Sequence, residues 1–164
     1  MVSFSRAAVT VRQRIIGELY DRLANCRDPT TGNLVFNKVV KEDLDETSAQ
    51  ELPIVGFEES EETQAEYLYP FVRKQLSISV EYRFANKKGV DVYDEFNYYL
   101  GVLQKTLLTV QNGTGAWAYA EDVSEVGNTP RIVSRNDNRP GGCLVLLIKY
   151  RHYNGDPYRG ITPN

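Results

Sequence analysis

The sequence predicts one α+β domain: a mixed or antiparallel β-sheet with two main α-helices packed on one face. Three observations lead there. Two stretches, Phe4 to Leu23 and Phe96 to Leu107, repeat apolar residues at three- and four-residue steps. Gln75 to Phe84 alternates, with Leu76, Ile78, Val80, Tyr82 and Phe84 set against Ser77, Ser79, Glu81 and Arg83. Late in the chain, Cys143-Leu144-Val145-Leu146-Leu147-Ile148 is an unbroken apolar run, too short for a membrane span and suited to a central strand covered on both faces. The 164 residues are assigned to one domain, residues 1–164. A chain of this size buries roughly 70% of its unfolded surface and needs no disulfide or metal staple.

The first helix presents Phe4, Ala8, Val11, Ile15, Leu19 and Leu23 on one stripe, widened by Ala7, Ile16 and Tyr20. Ser3 or Ser5 is its expected cap, and Asp28-Pro29 ends it by Arg27. Thr30 to Asn33 reads as a turn, followed by a short strand or arm over Leu34-Val35-Phe36 and Val39-Val40. Lys41 to Gln50 reads as an acidic loop or an exposed helical turn. Leu52 to Phe57 is a further strand that Pro53 pushes towards an edge or a strand start. Glu58 to Glu66 reads as a solvated connection before the alternating strand.

Asp91 caps the second helix, with Asp94 and Glu95 at the positive end of its dipole. Phe96, Leu100, Leu103 and Leu107 form its buried line, supported by Tyr93 and Tyr99, and Asn112-Gly113 supplies a left-handed stop. Ala116 to Ala120 and Arg131-Ile132-Val133 read as a hairpin about Gly127-Asn128. Ser134 to Gly142 is polar loop. The closing strand runs from Cys143 to about Tyr153, terminated by Asn154-Gly155-Asp156-Pro157.

Chemistry-bearing motifs are sparse. Cys26 and Cys143 have no metal spacing and read as free buried thiols. His152, the single histidine, has no serine or cysteine motif beside it and reads as a structural residue at a solvent edge. Asp43-Leu44-Asp45-Glu46 lacks the glycine and later glutamate of a calcium loop. Gly113-Thr114-Gly115 lacks the Gly-Lys-Ser/Thr of a phosphate loop. Glu81-Tyr82-Arg83 has the strand setting of a metal-dependent nuclease carboxylate, but arginine stands where such strands carry lysine. No catalytic, cofactor-binding or metal residue is assigned, and the net charge of −3 gives no ground for general nucleic-acid binding.

Charge is unevenly placed. Ten carboxylates lie between Lys41 and Glu66, with Lys41 as the sole base. Six basic residues lie between Arg131 and Arg159, against Asp137 and Asp156. The two regions are expected to meet head to tail on neighbouring copies, a contact that closes into a ring where the rotation permits. Eleven tyrosines suit a surface that is wet in the monomer and buried in an assembly.

Taken together, Arg14-Ile15-Ile16-Gly17-Glu18-Leu19-Tyr20-Asp21-Arg22-Leu23, Leu52-Pro53-Ile54-Val55-Gly56-Phe57 with its acidic tail, Gln75 to Tyr82, and Leu144 to Tyr153 followed by Asp156-Pro157 carry a likeness. The chain resembles bacteriophage tail terminator proteins, the group that includes the lambda-type minor tail protein U. The resemblance spans nearly the whole chain and consists of element order and residue class. It implies a structural virion protein of the tail or neck, assembled in the host cytoplasm. Such proteins form a homo-oligomeric ring, typically a hexamer, that caps the head-proximal end of the tail tube and stops its polymerisation.

The implied partners are other copies, the tail tube protein, the neck or connector protein and, in contractile tails, the last sheath layer. No membrane is involved, and DNA passes through the ring without sequence-specific contact. The job needs no enzyme and no cofactor. No functional residue carries over by identity, so candidate subunit or tube contacts are inferred from charge and loop length. They are Glu58, Glu59, Glu61 and Glu62, then Arg131, Arg135, Asn136 and Arg139, then Arg151, Tyr153 and Tyr158. Two alternatives remain: a head–tail connector or completion protein, and a small nuclease using Glu81 with the arginine loop.

Overall fold

The computed structural model describes residues 8–41, 44, 51–108, 116–131 and 139–160. The first helix, α1, spans Val11–Ala24 and starts where Thr10 closes a capping box. The Thr10 hydroxyl accepts from the Gln13 N–H (3.1 Å), and Gln13 Oε1 accepts from the Thr10 N–H (2.9 Å). This corrects the expected start. Ala8 lies before the helix, and Ser3, Phe4, Ser5 and Ala7 lie outside the described residues. Thr10-x-x-Gln13 satisfies two N–H groups at once, which a lone upstream serine does not. Val11, Ile15, Ile16, Leu19 and Leu23 are buried, as the periodicity predicts.

Strand β1 (Lys38–Lys41) pairs in parallel with the start of β2 (Ile54–Leu68), which begins just after Pro53. Antiparallel pairing joins β2 to β3 (Phe71–Arg83) over the length of both strands. After β3 comes α2 (Val92–Leu107), capped by Asp91, whose Oδ1 accepts from the Tyr93 N–H (2.7 Å). Strands β4 (Ala120–Arg131), β5 (Gly141–Tyr153) and β6 (Asp156–Gly160) follow. The sheet order is β1-β2-β3-β5-β4, with β6 pairing β5. Since β3 pairs β5 from Phe71↔Tyr153 to Arg83↔Gly141, β6 continues on the β4 side, beyond the last β4 pair at Ala120↔Tyr150. The parallel β1–β2 pair makes this a mixed sheet, and the architecture is the expected α+β one.

Several local expectations are corrected. Glu58 to Glu66 is the outer half of β2, with register shifts between Glu59 and Glu62 and between Gln64 and Glu66. The length of β3 imposes that pairing on a segment whose own residues carry no strand pattern. Gly127-Asn128 is no hairpin turn; it lies within β4 at a register shift, opposite Val145 and Leu144. Ile132 and Val133 lie outside the described residues. Leu34 makes a single bridge to Arg27 in place of a strand. Asn154-Gly155 is the turn into β6, with Gly155 at φ 77°. The helix α2 ends at Leu107, where the extended Leu108 donates its N–H to the Gln104 carbonyl (3.0 Å); Asn112 and Gly113 lie outside the described residues.

The core lies between one sheet face and the two helices. Leu76, Ile78, Val80 and Tyr82 of β3 stand opposite Ile148, Leu146, Leu144 and Gly142 of β5, and these apolar side chains are buried with Phe96, Leu100, Leu103 and Leu107 of α2. Tyr99 joins them, whereas Tyr93 is 52% exposed. On the other face, Cys143, Val145, Leu147 and Lys149 are half-buried beside Ser77 and Ser79. The apolar run of β5 is therefore core on one face only. Its second face keeps Val145 and Leu147 flanked by short side chains, so an apolar sequence run does not here mean two covered faces.

Candidate functional site

The eleven residues assigned from charge and loop length do not form one surface. Glu59 and Glu62 are engaged within the chain: Arg12 Nε donates to Glu59 (2.8 Å), and Arg12 Nη1 donates to Glu62 (3.3 Å). Arg151 pairs with Glu121, which also accepts from Arg73 Nε (3.0 Å), and Arg73 in turn donates to Glu66 (2.6 Å). Arg73 and Arg151 stand directly opposite each other across β3 and β5, so Glu121 neutralises a like-charge pair that would otherwise repel. Arg131 and Arg139 lie at the far end of the sheet, near the Arg83↔Gly141 pair. Arg135 and Asn136 lie outside the described residues. Glu58 and Glu61 are exposed, and neither makes an ion pair among the described residues.

Tyr153 and Tyr158 belong to a different cluster, where two hairpin ends meet. The Asn154 N–H donates to the Pro70 carbonyl (2.9 Å), and Asn154 Nδ2 donates to the Tyr67 hydroxyl (3.3 Å). Phe71 and Tyr153 make an edge-on ring contact at 4.8 Å, and the Arg159 guanidinium lies 4.2 Å from the Tyr153 ring centre. Around this scaffold Tyr67, Tyr69 and Tyr158 are 54%, 83% and 53% exposed. The β2–β3 and β5–β6 turns thus fix an aromatic, arginine-bearing end to the sheet.

Beside this end, on the helix-facing side, lies a cleft of about 370 Å³ lined by Thr10, Arg12, Glu62, Lys74, Tyr150, His152, Gly155 and Pro157. Its floor comes from register. Lys74 stands opposite Tyr150, and Val72 opposite His152, on the face that is core further along. The start of α1 forms one wall, because Val11 packs against Gly160, where a Cβ would lie 2.8 Å from Val11 Cγ2. The buried Tyr150 hydroxyl donates to Glu62 (2.6 Å). Burial first, then that carboxylate, raises the Tyr150 pKa far above the ordinary tyrosine value, so the group is a fixed donor. His152 Nδ1 donates to the Tyr153 carbonyl (2.8 Å), since a carbonyl can only accept.

Glu81, the carboxylate of the nuclease alternative, is bound by Arg83 Nη2 (3.2 Å) on the sheet face away from the helices. Its neighbour across the sheet is Cys143, whose thiol is raised by burial first and by Glu81 second. Among the described residues no three His, Cys, Asp or Glu side chains gather as a metal site. Both cysteines are free: Cys26 is buried beside the Thr106 hydroxyl (3.3 Å), and Cys143 is half-buried. No described helix is long and apolar enough to cross a membrane.

Sequence reasoning missed Arg12, Lys74, Glu121 and Tyr150. Arg12 was recognisable as lying off the α1 stripe, but its acidic partners come from a strand 47 and 50 residues later. Lys74 and Tyr150 were ordinary positions until β3 and β5 paired. Compared with known proteins, the chain matches no family model and no curated protein.

Proposed function

We propose that this protein is a structural component of a phage tail: a ring-forming terminator that caps the head-proximal end of the tail tube and presents a surface for joining to the neck. The observation that carries the reading is the rigid aromatic end. Three tyrosines more than half exposed lie in or beside two hairpin turns that hydrogen bonds and ring contacts lock together. Tyrosine and arginine held in a preset geometry contribute large contact area at little ordering cost, which is the chemistry of a protein–protein contact.

Capping of this kind is geometric. One face copies the tube's end and the other offers no site for a further tube subunit, so it requires no reacting group. Solution mass measurement, together with electron microscopy of the protein mixed with purified tail tubes, tests the reading. The expected result is a ring at tube ends and tubes that no longer elongate. A strictly monomeric protein that never decorates tube ends overturns it. Decoration of portal-bearing heads in place of tubes assigns the protein to the connector side of the same junction.

A further inference from the structure

The cleft between α1 and the β5–β6 turn holds a cation, Lys74, that no carboxylate engages directly among the described residues. Arg12 is shared by Glu59 and Glu62 (2.8 and 3.3 Å), and Glu62 also takes the Tyr150 hydroxyl on the same oxygen. Lys74 lines the cleft, is half-buried, and makes no hydrogen bond or ion pair among the described residues. The Lys74 ammonium therefore has its donors open, and a carboxylate supplied from outside would engage them in a charge-assisted hydrogen bond.

We propose that this cleft is a receptor for a single carboxylate, an aspartate or glutamate side chain carried on a segment of a partner protein, with Lys74 as its charge anchor. The proposal rests on the assembly reading above and names the chemistry of one of its contacts. Two features select a protein partner. The rim continues into the aromatic end, through Gly155 and Pro157 to Tyr158 and through Asn154 to Tyr67. Glu62 lines the cleft, held by Arg12 and the Tyr150 hydroxyl, so an extended polyanion would run against its carboxylate, whereas a single side-chain carboxylate can be placed on Lys74. Nucleic acid needs rows of cations along its phosphates, and no such row is present in the cleft lining.

The volume of about 370 Å³ admits a side chain and its adjoining backbone, and the remaining hydrogens on the Arg12 guanidinium provide a second donor. Tyr150 and Pro157 supply apolar surface for the methylenes of the incoming side chain. His152, the single histidine of the chain, faces the same space and reports on it.

The test titrates the full chain with a capped Ala-Glu-Ala peptide, its Ala-Gln-Ala counterpart and a duplex DNA oligonucleotide, following the His152 ring resonances. The glutamate peptide is expected to give a saturable shift that the glutamine peptide does not. Lys74→Gln should weaken it about tenfold or more, and Lys74→Arg should retain it, as expected for one charge-assisted contact. Equal shifts from both peptides, or DNA binding at this site that Lys74→Gln abolishes, overturn the proposal. Peptide binding by a protein that never caps tubes supports the cleft and removes the terminator reading. Capping by a protein whose His152 ignores the glutamate peptide removes the cleft and leaves that reading.

Discussion

Asp28 illustrates how much one side chain can fix. Its Oδ1 accepts from the Thr30 and Thr31 N–H groups (2.8 and 2.7 Å), and its Oδ2 accepts from the Tyr98 hydroxyl (2.6 Å), tying the post-helix turn to α2. The Tyr98 bond first, then the two backbone bonds, lower its pKa from 3.8 to about 2. A depressed carboxylate stabilises the fold above its unfolded pKa and ceases to do so as pH falls through the folded value. Asp28→Asn should therefore cost stability at neutral pH, and that cost should shrink between pH 4 and about 2. Denaturant melts of both proteins across this range check it; a penalty independent of pH would exclude the carboxylate's charge as its source. At the alkaline side the sign reverses. Burial pushes Tyr99 up to about 12, with Glu95 adding to it, and burial also raises Tyr82 and Tyr150. Raised phenols stabilise the fold below the unfolded value and lose that contribution as pH rises through the folded one. Ultraviolet titration should find these buried tyrosines un-ionised above pH 10 until the chain unfolds.

Within the elements, the most sensitive point is the start of β5. Gly141 pairs with Arg83 and Gly142 with Tyr82, and a Cβ at Gly141 would overlap the Tyr82 carbonyl. At Gly142 it would meet the Phe96 and Tyr82 rings. Gly141→Ala must displace backbone where β3 and β5 begin to pair, with an expected loss of about 1–3 kcal/mol. Chemical denaturation measures this; an unchanged midpoint would mean the strand pair can separate there without penalty. Legibility followed the range of the forces. Both helices and β3 were readable because their own residues carry the period, and β5 because its apolar run marks it as a strand. The outer half of β2 was not, because Glu58 to Glu66 has no apolar alternation and is a strand by virtue of its pairing with β3. Gly127-Asn128 looked like a turn locally, yet pairing with β5 takes the chain straight through it with a bulge. Thr10-x-x-Gln13 was in the sequence all along, but the apolar stripe extends upstream to Phe4 and drew the expected start with it. The site was less legible than the fold, since its residues meet only after β2, β3, β5 and α1 are assembled.

On the scale of the whole molecule, the acidic run reads differently once folded. Glu59, Glu62 and Glu66 are answered by Arg12 and Arg73 of the same chain, which leaves Glu58 and Glu61 as the exposed acids on the outer edge of β2. Among the described residues that edge has no partner strand beyond Phe57, where β1 ends, and its charges and register shifts guard it against edge-to-edge growth. The two classes of glutamate should respond differently to substitution. Glu62→Ala strands the buried Tyr150 hydroxyl and should cost about 1–3 kcal/mol of monomer stability. Glu58→Lys with Glu61→Lys alters only exposed positions and should stay within about 0.5 kcal/mol of the parent. If the edge of one copy faces basic side chains of the next, the same double reversal should weaken ring formation, most strongly at low ionic strength where screening is least. Analytical ultracentrifugation of parent and variant over a salt series separates the outcomes. A ring that assembles equally well at low salt after the reversal would remove this edge from the proposed subunit contact and move the proposal to the aromatic end.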